Sequence, residues 1–186
     1  MNIDELVVEL SQDPFNPELN FKCAVEYEKQ NQTASAVSFY LRCAEYGGRH
    51  NVIVYNSLLK LARCFESQGG RLSTVSNCIL QAVAYDPDRQ EAYFMMSQFH
   101  ERQGNWQECY TWAEMGATVA HDYNPLPADV GFPGWFVFDF EQAVSSWWIG
   151  RKEESLRLLT ELSSKDLPKE YTDSVQRNLD FLSSTF

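Results

Sequence analysis

Pro17-Glu-Leu-Asn-Phe21-Lys-Cys-Ala24-Val25-Glu-Tyr27-Glu28-Lys29-Gln-Asn31-Gln-Thr33-Ala-Ser-Ala36-Val-Ser-Phe-Tyr40-Leu-Arg-Cys43 is the stretch that decides the fold. Pro17 is a favoured first-turn residue, and the spacing predicts a helix from there to about Gln30. A second helix is expected over roughly Thr33 to Tyr46, ended by Gly47-Gly48. Small residues fall at Ala24, Ala36 and Cys43, with rings at Tyr27 and Tyr40. Helices that approach one another closely need small side chains at the crossing and large ones beside it.

The same organisation extends outward in both directions. Ile3, Leu6, Val7 and Leu10 form an apolar helical stripe that stops at Asp13-Pro14. Downstream, helices are expected over Asn51 to Gln68, Leu72 to Tyr85, Asp88 to Gln103, Trp106 to His121, Trp135 to Ile149, Arg151 to Ser163, and Pro168 to about Ser183. Between Pro125 and Gly134 lie too many prolines and glycines for a helix interior, so this is the one long loop. No strand-like alternation is present, and the chain reads as all-α.

Counting from Tyr55 gives Ala62 and Phe65, then Ile79, Ala82 and Pro87 if Gly69-Gly70 adds one residue. Counting from Gln90 gives Ser97, Gly104, Cys109, Ala113 and Gly116; counting from Phe136 gives Ala143, Ser146, Gly150, Ser155, Leu159 and Leu162. This pattern resembles the tetratricopeptide repeat, a helix-turn-helix unit of about 34 residues. The resemblance covers about Pro17 to Pro168, without the family's position-4 tryptophan and with long linkers at 47–54 and 122–134. It implies one domain over 1–186, a right-handed superhelix of antiparallel helix pairs forming an α-solenoid. The repeats fall at about 17–50, 55–88, 90–123 and 136–168, with capping helices at 1–11 and 168–183.

The chain has 186 residues, of which 44% are hydrophobic and 14% aromatic, enough for a sizeable core. Its 15 Lys and Arg against 26 Asp and Glu leave a net charge of -11, which disfavours nucleic acid and anionic membrane as partners. Apolar runs such as Trp135 to Phe138 are too short to span a bilayer, and the acidic start is unlike a secretory signal. Cys23, Cys43, Cys64, Cys78 and Cys109 are scattered and odd in number, so they read as buried apolar residues. A cytoplasmic protein is expected, without membrane insertion and without sugar on the Asn31-Gln32-Thr33 sequon.

Nothing in the sequence converges on catalysis. His50, His100 and His121 lack metal-ligand spacing, and no phosphate-cradling glycine loop or nucleophile elbow is present. His100 occupies a position where a packed ring belongs, and Glu153-Glu154 suits a helix first turn. We therefore expect no catalytic, cofactor-binding or metal-binding residues and no cofactor.

Binding is the better expectation. In the resembled family the first helix of each pair lines a groove. Here those positions read Glu18, Phe21, Val25, Glu28 and Lys29, then Asn56, Leu59, Arg63, Glu66 and Ser67. The later pairs supply Glu91, Phe94, Gln98, Glu101 and Arg102, then Val137, Phe140, Val144, Trp147 and Trp148. The carboxylate clamp of chaperone-tail binders is missing. A mixed acidic and apolar groove suits a basic or amphipathic peptide, unless its glutamates are merely solvated.

Between Phe132 and Trp148 seven aromatics fall within seventeen residues. Rings at 135, 136, 138 and 140 span a helix circumference, so some must face the loop, the groove or a partner. A local core under the loop, an interface and a small-ligand pocket all remain open. Candidate partner-binding residues are Phe21, Arg63, Gln98, Arg102, Trp135, Phe140, Glu141, Trp147 and Trp148. Self-association through the aromatic face is also an expectation.

Pro87-Asp-Arg-Gln-Glu-Ala-Tyr93, Phe140-Glu141-Gln-Ala-Val-Ser-Ser-Trp-Trp-Ile-Gly-Arg-Lys-Glu-Glu-Ser155 and Arg177-Asn-Leu-Asp-Phe181 occur in that order. Together they resemble the tetratricopeptide-like accessory segment that follows the catalytic domain in some bacterial glycosyltransferases. The resemblance implies association with sugar-transfer machinery, positioning an acceptor or glycan through Trp135, Trp147, Trp148 and Glu141. It does not imply transferase activity, since in that family the segment is helical and accessory. The leading expectation is a non-enzymatic scaffold or adaptor for protein-protein interaction.

Overall fold

A computed structural model describes residues 2–119 and 124–184. Among these residues there are ten helices and no strand. In chain order they are α1 (Ile3–Gln12), α2 (Pro17–Lys29), α3 (Thr33–Tyr46), α4 (Val52–Gln68), α5 (Leu72–Tyr85), α6 (Gln90–Arg102), α7 (Trp106–Thr118), α8 (Phe136–Trp148), α9 (Lys152–Ser163) and α10 (Lys169–Ser183). Each expected helix is present, with ends within about two residues of the sequence reading except at α7. The expected His121 end of that helix, and the close of the 90–123 repeat, lie outside the described residues.

Local chemistry accounts for most of the boundaries. The Asn2 side chain accepts from the Glu5 amide while Glu5 reaches back to the Asn2 amide, a reciprocal cap that starts α1. Asn16 caps α2 ahead of Pro17, and Asn51 caps α4. Asn31, Gly104 and Gly150 hold φ of 58°, 70° and 84° between paired helices. Each turn is closed by the same two main-chain bonds, and Asn31 serves where the later pairs use glycine because it tolerates the left-handed region.

The small-residue pattern is a packing pattern. Ala24, Ala36 and Cys43 are completely buried, as are Ala62, Ala82, Ser97, Cys109, Ala113 and Ala143. Tyr27 and Phe39 stack between α2 and α3. Ser97 on α6 donates to the Cys109 carbonyl on α7. All five cysteines are free and buried.

The described residues group into two compact units. The first comprises 2–92 with 124–131, and the second 93–119 with 132–184. In the first, α1 covers the end of the stack by packing Leu6 and Leu10 against Cys23. Val7, expected in that stripe, is 42% exposed, because Ile3, Leu6 and Leu10 already cover the available face of α2. In the second, α8 packs on α7 and α9, and α10 closes against α9.

Candidate functional site

The first unit holds a non-helical segment, bent at Pro127 and Ala128, on a helix face. Residues 124–131 (Asn-Pro-Leu-Pro-Ala-Asp-Val-Gly) come between α7 and α8 in the chain but belong with α1–α5 in space. Successive residues of the segment meet successive turns of α4. The buried Asn56 amide donates Nδ2 to the Ala128 carbonyl at 2.9 Å, and its Oδ1 accepts from the Ala128 amide at 2.7 Å. Lys60 Nζ donates to the Asp129 carbonyl at 3.1 Å. Arg63 donates to the Val130 carbonyl through Nη2 at 2.9 Å and Nε at 3.3 Å. At the other end Arg89 Nη2 donates to the Asn124 carbonyl at 2.8 Å.

All of these bonds go to the main chain of the segment. Burial alternates along it, with Ala128 and Val130 buried while Pro127, Asp129 and Gly131 are exposed. The segment ends in a turn, where Gly131 at φ 76° donates its amide to the Asp129 carboxylate.

The holding side chains are themselves held. Lys60 pairs with Glu28 at 2.7 Å, and Glu28 accepts from the buried Tyr40 hydroxyl at 2.6 Å. Burial and the Glu28 charge keep that phenol protonated far above its ordinary range. Arg63 pairs with Glu66, and Arg89 pairs with Glu91 while lying over the Tyr55 ring.

Beside the segment is a cavity of about 730 Å³. Leu6, Phe21 and Val25 supply its apolar wall, Glu18 and Lys22 its charged edge, and Pro127 of the segment one end. Phe21, a predicted contact, is nearly buried and packs edge-on to Tyr40 with centroids 5.9 Å apart. Arg63, another, faces the protein's own 124–131 segment. Asn56, Leu59 and Glu91, expected at groove positions, are buried. That expectation of an open inner face is corrected on α4, which the segment covers.

The remaining candidates lie in the second unit. Glu141 is 3% exposed, so the expected carboxylate at a ligand-facing surface is instead interior. Its Oε2 lies 3.7 Å from the Cys109 thiol. Burial, reinforced by the charge of Glu101, pushes its pKa up to about 8. The Cys109 thiol is pushed up to about 12 by burial and by Glu141. Burial raises Glu101, and the exposed Arg102 opposes the shift at both carboxylates. Gln98 is half-buried on α6.

The aromatic run divides as helix geometry demands. Phe136 and Phe138 are buried, and Phe132 packs on Phe94 and Phe138. Phe140 is half-buried, edge-on to Tyr171 at 5.3 Å. Trp135 is 50% exposed with Lys165 Nζ 4.6 Å over its ring. Trp148, 58% exposed, stacks on Trp106 at 5.2 Å, while Trp147 meets Phe181 edge-on and carries Lys152 over its ring. The run is thus both a local core and an exposed face.

The predicted residues divide between the two units. Phe21 and Arg63 belong to the first unit, and the other seven to the second. Sequence reasoning passed over Lys60 and Arg89, and it named Asn56 only as one groove position among many. The available signal was a short-chain amide inside the apolar run Val54 to Ala62 of α4. Among the described residues, no group of three or more His, Cys, Asp or Glu is arranged to hold a metal, and no helix is long and apolar enough to cross a membrane.

No protein-family model matches the sequence, and no curated protein sequence matches it. Solved structures match the fold. A tetratricopeptide repeat protein from Parabacteroides merdae superposes with a TM-score of 0.73 at 14% identity, over 98% of this chain and 66% of that one. MamA gives 0.65 at 13% identity, over 84% of this chain and 81% of that one. YrrB, described as a tetratricopeptide protein with an unusual peptide-binding site, gives 0.62 at 12% identity, over 87% and 74%. At such identities the likeness is one of fold: an all-α, tetratricopeptide-like helical solenoid.

Proposed function

We propose that this chain, built on the tetratricopeptide fold, is a non-catalytic protein-interaction module that binds a non-helical stretch of partner polypeptide along α2 and α4. The observation that carries the reading is the Asn56 amide holding both main-chain polar groups of Ala128. A side chain that satisfies an N–H and a C=O of one non-helical residue is equipped for peptide backbone of many sequences. The adjoining cavity, with Phe21 and Val25 in its wall and Glu18, Lys22, Glu26 and Lys29 around it, adds an apolar socket beside charges of both signs. An amphipathic peptide suits that combination, and the net charge of -11 draws one with basic residues toward the protein. Five free, buried thiols accord with a reducing compartment, and we place the module in the cytoplasm.

Panning a peptide library against the full chain tests this. The expected result is a set of peptides that bind saturably by calorimetry, weaken as salt rises, and lose about tenfold or more in affinity on Val25→Glu, equivalent to about 1.4 kcal/mol. A folded protein that enriches no peptide, or whose peptides ignore Val25→Glu, contradicts the proposal.

A second reading rests on the half-exposed Trp135 and Trp148. Indole faces stack on sugar rings, which suits an accessory module that positions an acceptor or glycan in a sugar-transfer system. Glu141 takes no part in it, being interior. Saturable quenching of tryptophan fluorescence by a glycan, lost on Trp148→Ala, supports this reading, and flat titrations across a broad glycan panel oppose it.

A further inference from the structure

We infer that the α4 face takes a non-helical, proline-bearing segment of a partner protein of the same type as residues 125–130, in competition with that segment of the chain itself. The inference rests on the peptide-binding reading above and names the class of ligand.

The seated segment shows what the face selects. Its bonds to Asn56, Lys60, Arg63 and Arg89 all use main-chain atoms, so side-chain identity enters only at the positions that point inward. These are the half-buried Leu126 and the buried Ala128 and Val130, which ask for aliphatic, small and β-branched side chains at alternate places. Pro125 and Pro127 are exposed, and neither needs an N–H. Proline there fixes φ, lowering the entropy lost on seating. At Ala128 proline is excluded, because the amide there donates to Asn56 Oδ1 at 2.7 Å. The class is therefore aliphatic–Pro–small–x–Val, bent at the Pro–small step, with a free amide at the small residue.

The same bonds make exchange feasible. A partner segment replaces each main-chain bond with an equivalent one, so the difference between the two occupants lies in side chains and in what each adds. The native segment only reaches the edge of the cavity, at Pro127. A partner carrying an apolar or basic residue into that space gains a contact the native segment does not make.

The test uses the full chain with residues 125–130 replaced by a Gly-Ser linker of equal length, and a labelled, end-blocked peptide of the sequence of residues 124–131. Saturable binding to the replaced chain, about tenfold or more tighter than to the native chain, is expected. Asn56→Leu in the replaced chain, or N-methylation of the peptide alanine, should abolish it. Should the replaced chain lose its helical circular dichroism, Ala128→Pro in the otherwise native chain carries the same comparison. Equal affinity for native and replaced chains, no binding to a folded replaced chain, or indifference to Asn56→Leu overturns the inference. So does a native chain that dimerises where the replaced chain does not, which assigns the face to a second copy. A library peptide sensitive to Val25→Glu, run in parallel, separates failure here from failure of peptide binding altogether.

Discussion

Asn56 and Ala128 are 72 residues apart in sequence, yet one carboxamide satisfies both main-chain polar groups of the other residue. Asn56→Leu removes donor and acceptor together and leaves a buried N–H and C=O without partners. The expected loss is about 2–4 kcal/mol in urea unfolding, at the upper end because two groups are orphaned. Limited proteolysis should show faster cleavage between Asn124 and Gly131. A loss under about 0.5 kcal/mol with unchanged cleavage would mean that the segment is held by other means.

Glu141 supplies a pH dependence of definite sign. Its folded pKa is raised from an ordinary 4.5 to about 8, so between those values the folded chain keeps a proton that the unfolded chain releases. Its contribution to stability therefore falls as pH rises through that window. Glu141→Gln removes the effect and should stabilise the protein at pH 8–9 by on the order of 2 kcal/mol, with little change at pH 4.5. The titratable and charged groups that interact with it are Glu101, Cys109, Arg102 and Tyr171. Thermal melts of both proteins across the range decide the matter, and a pH-independent difference would refute it.

Gly116 on α7 sits against the ring of Phe138, where a methyl group would overlap the ring edge. Phe138 is itself buried, so the ring has little room to withdraw. Gly116→Ala is expected to cost about 1–3 kcal/mol. Adding Phe138→Leu should make the Gly116→Ala step cheaper by at least about 1 kcal/mol, seen as non-additivity in a double-mutant cycle.

The cysteines should be silent in the folded protein. Burial raises every one of the five, Cys64 to about 11 and Cys109 to about 12, so little thiolate is present at neutral pH. Alkylation followed by mass spectrometry should show labelling only under denaturing conditions. Rapid labelling of Cys109 in the folded chain would disprove the interior placement of its neighbour Glu141 as well.

Helix ends were legible because they are written locally. Asn16-Pro17, Asn51, Gly69-Gly70 and Asp86-Pro87 announce caps and stops within a few residues of where they act. The repeat was legible because Ala24, Ala36, Ala62 and Cys109 are small for a reason that recurs at fixed spacing. The destination of 124–131 had no such signature. Prolines and glycine marked it as non-helical, but its bonds run from main chain to distant side chains and leave no period to read. Glu141 misled for a related reason: a carboxylate among rings looks solvent-facing until its helix is turned, and α8 turns it toward α7.

The position of 124–131 in the chain also sets an order of events during synthesis. The α4 helix leaves the ribosome 72 residues before Ala128 does, as measured from Asn56. At about 5–20 residues per second, its inner face stays empty for roughly 4–14 s in every newly made molecule. For that interval Asn56 has no chain of its own to hold, and a partner already present meets no competitor. Affinity for the nascent protein and for the finished one are then different quantities, separated by the arrival of eight residues.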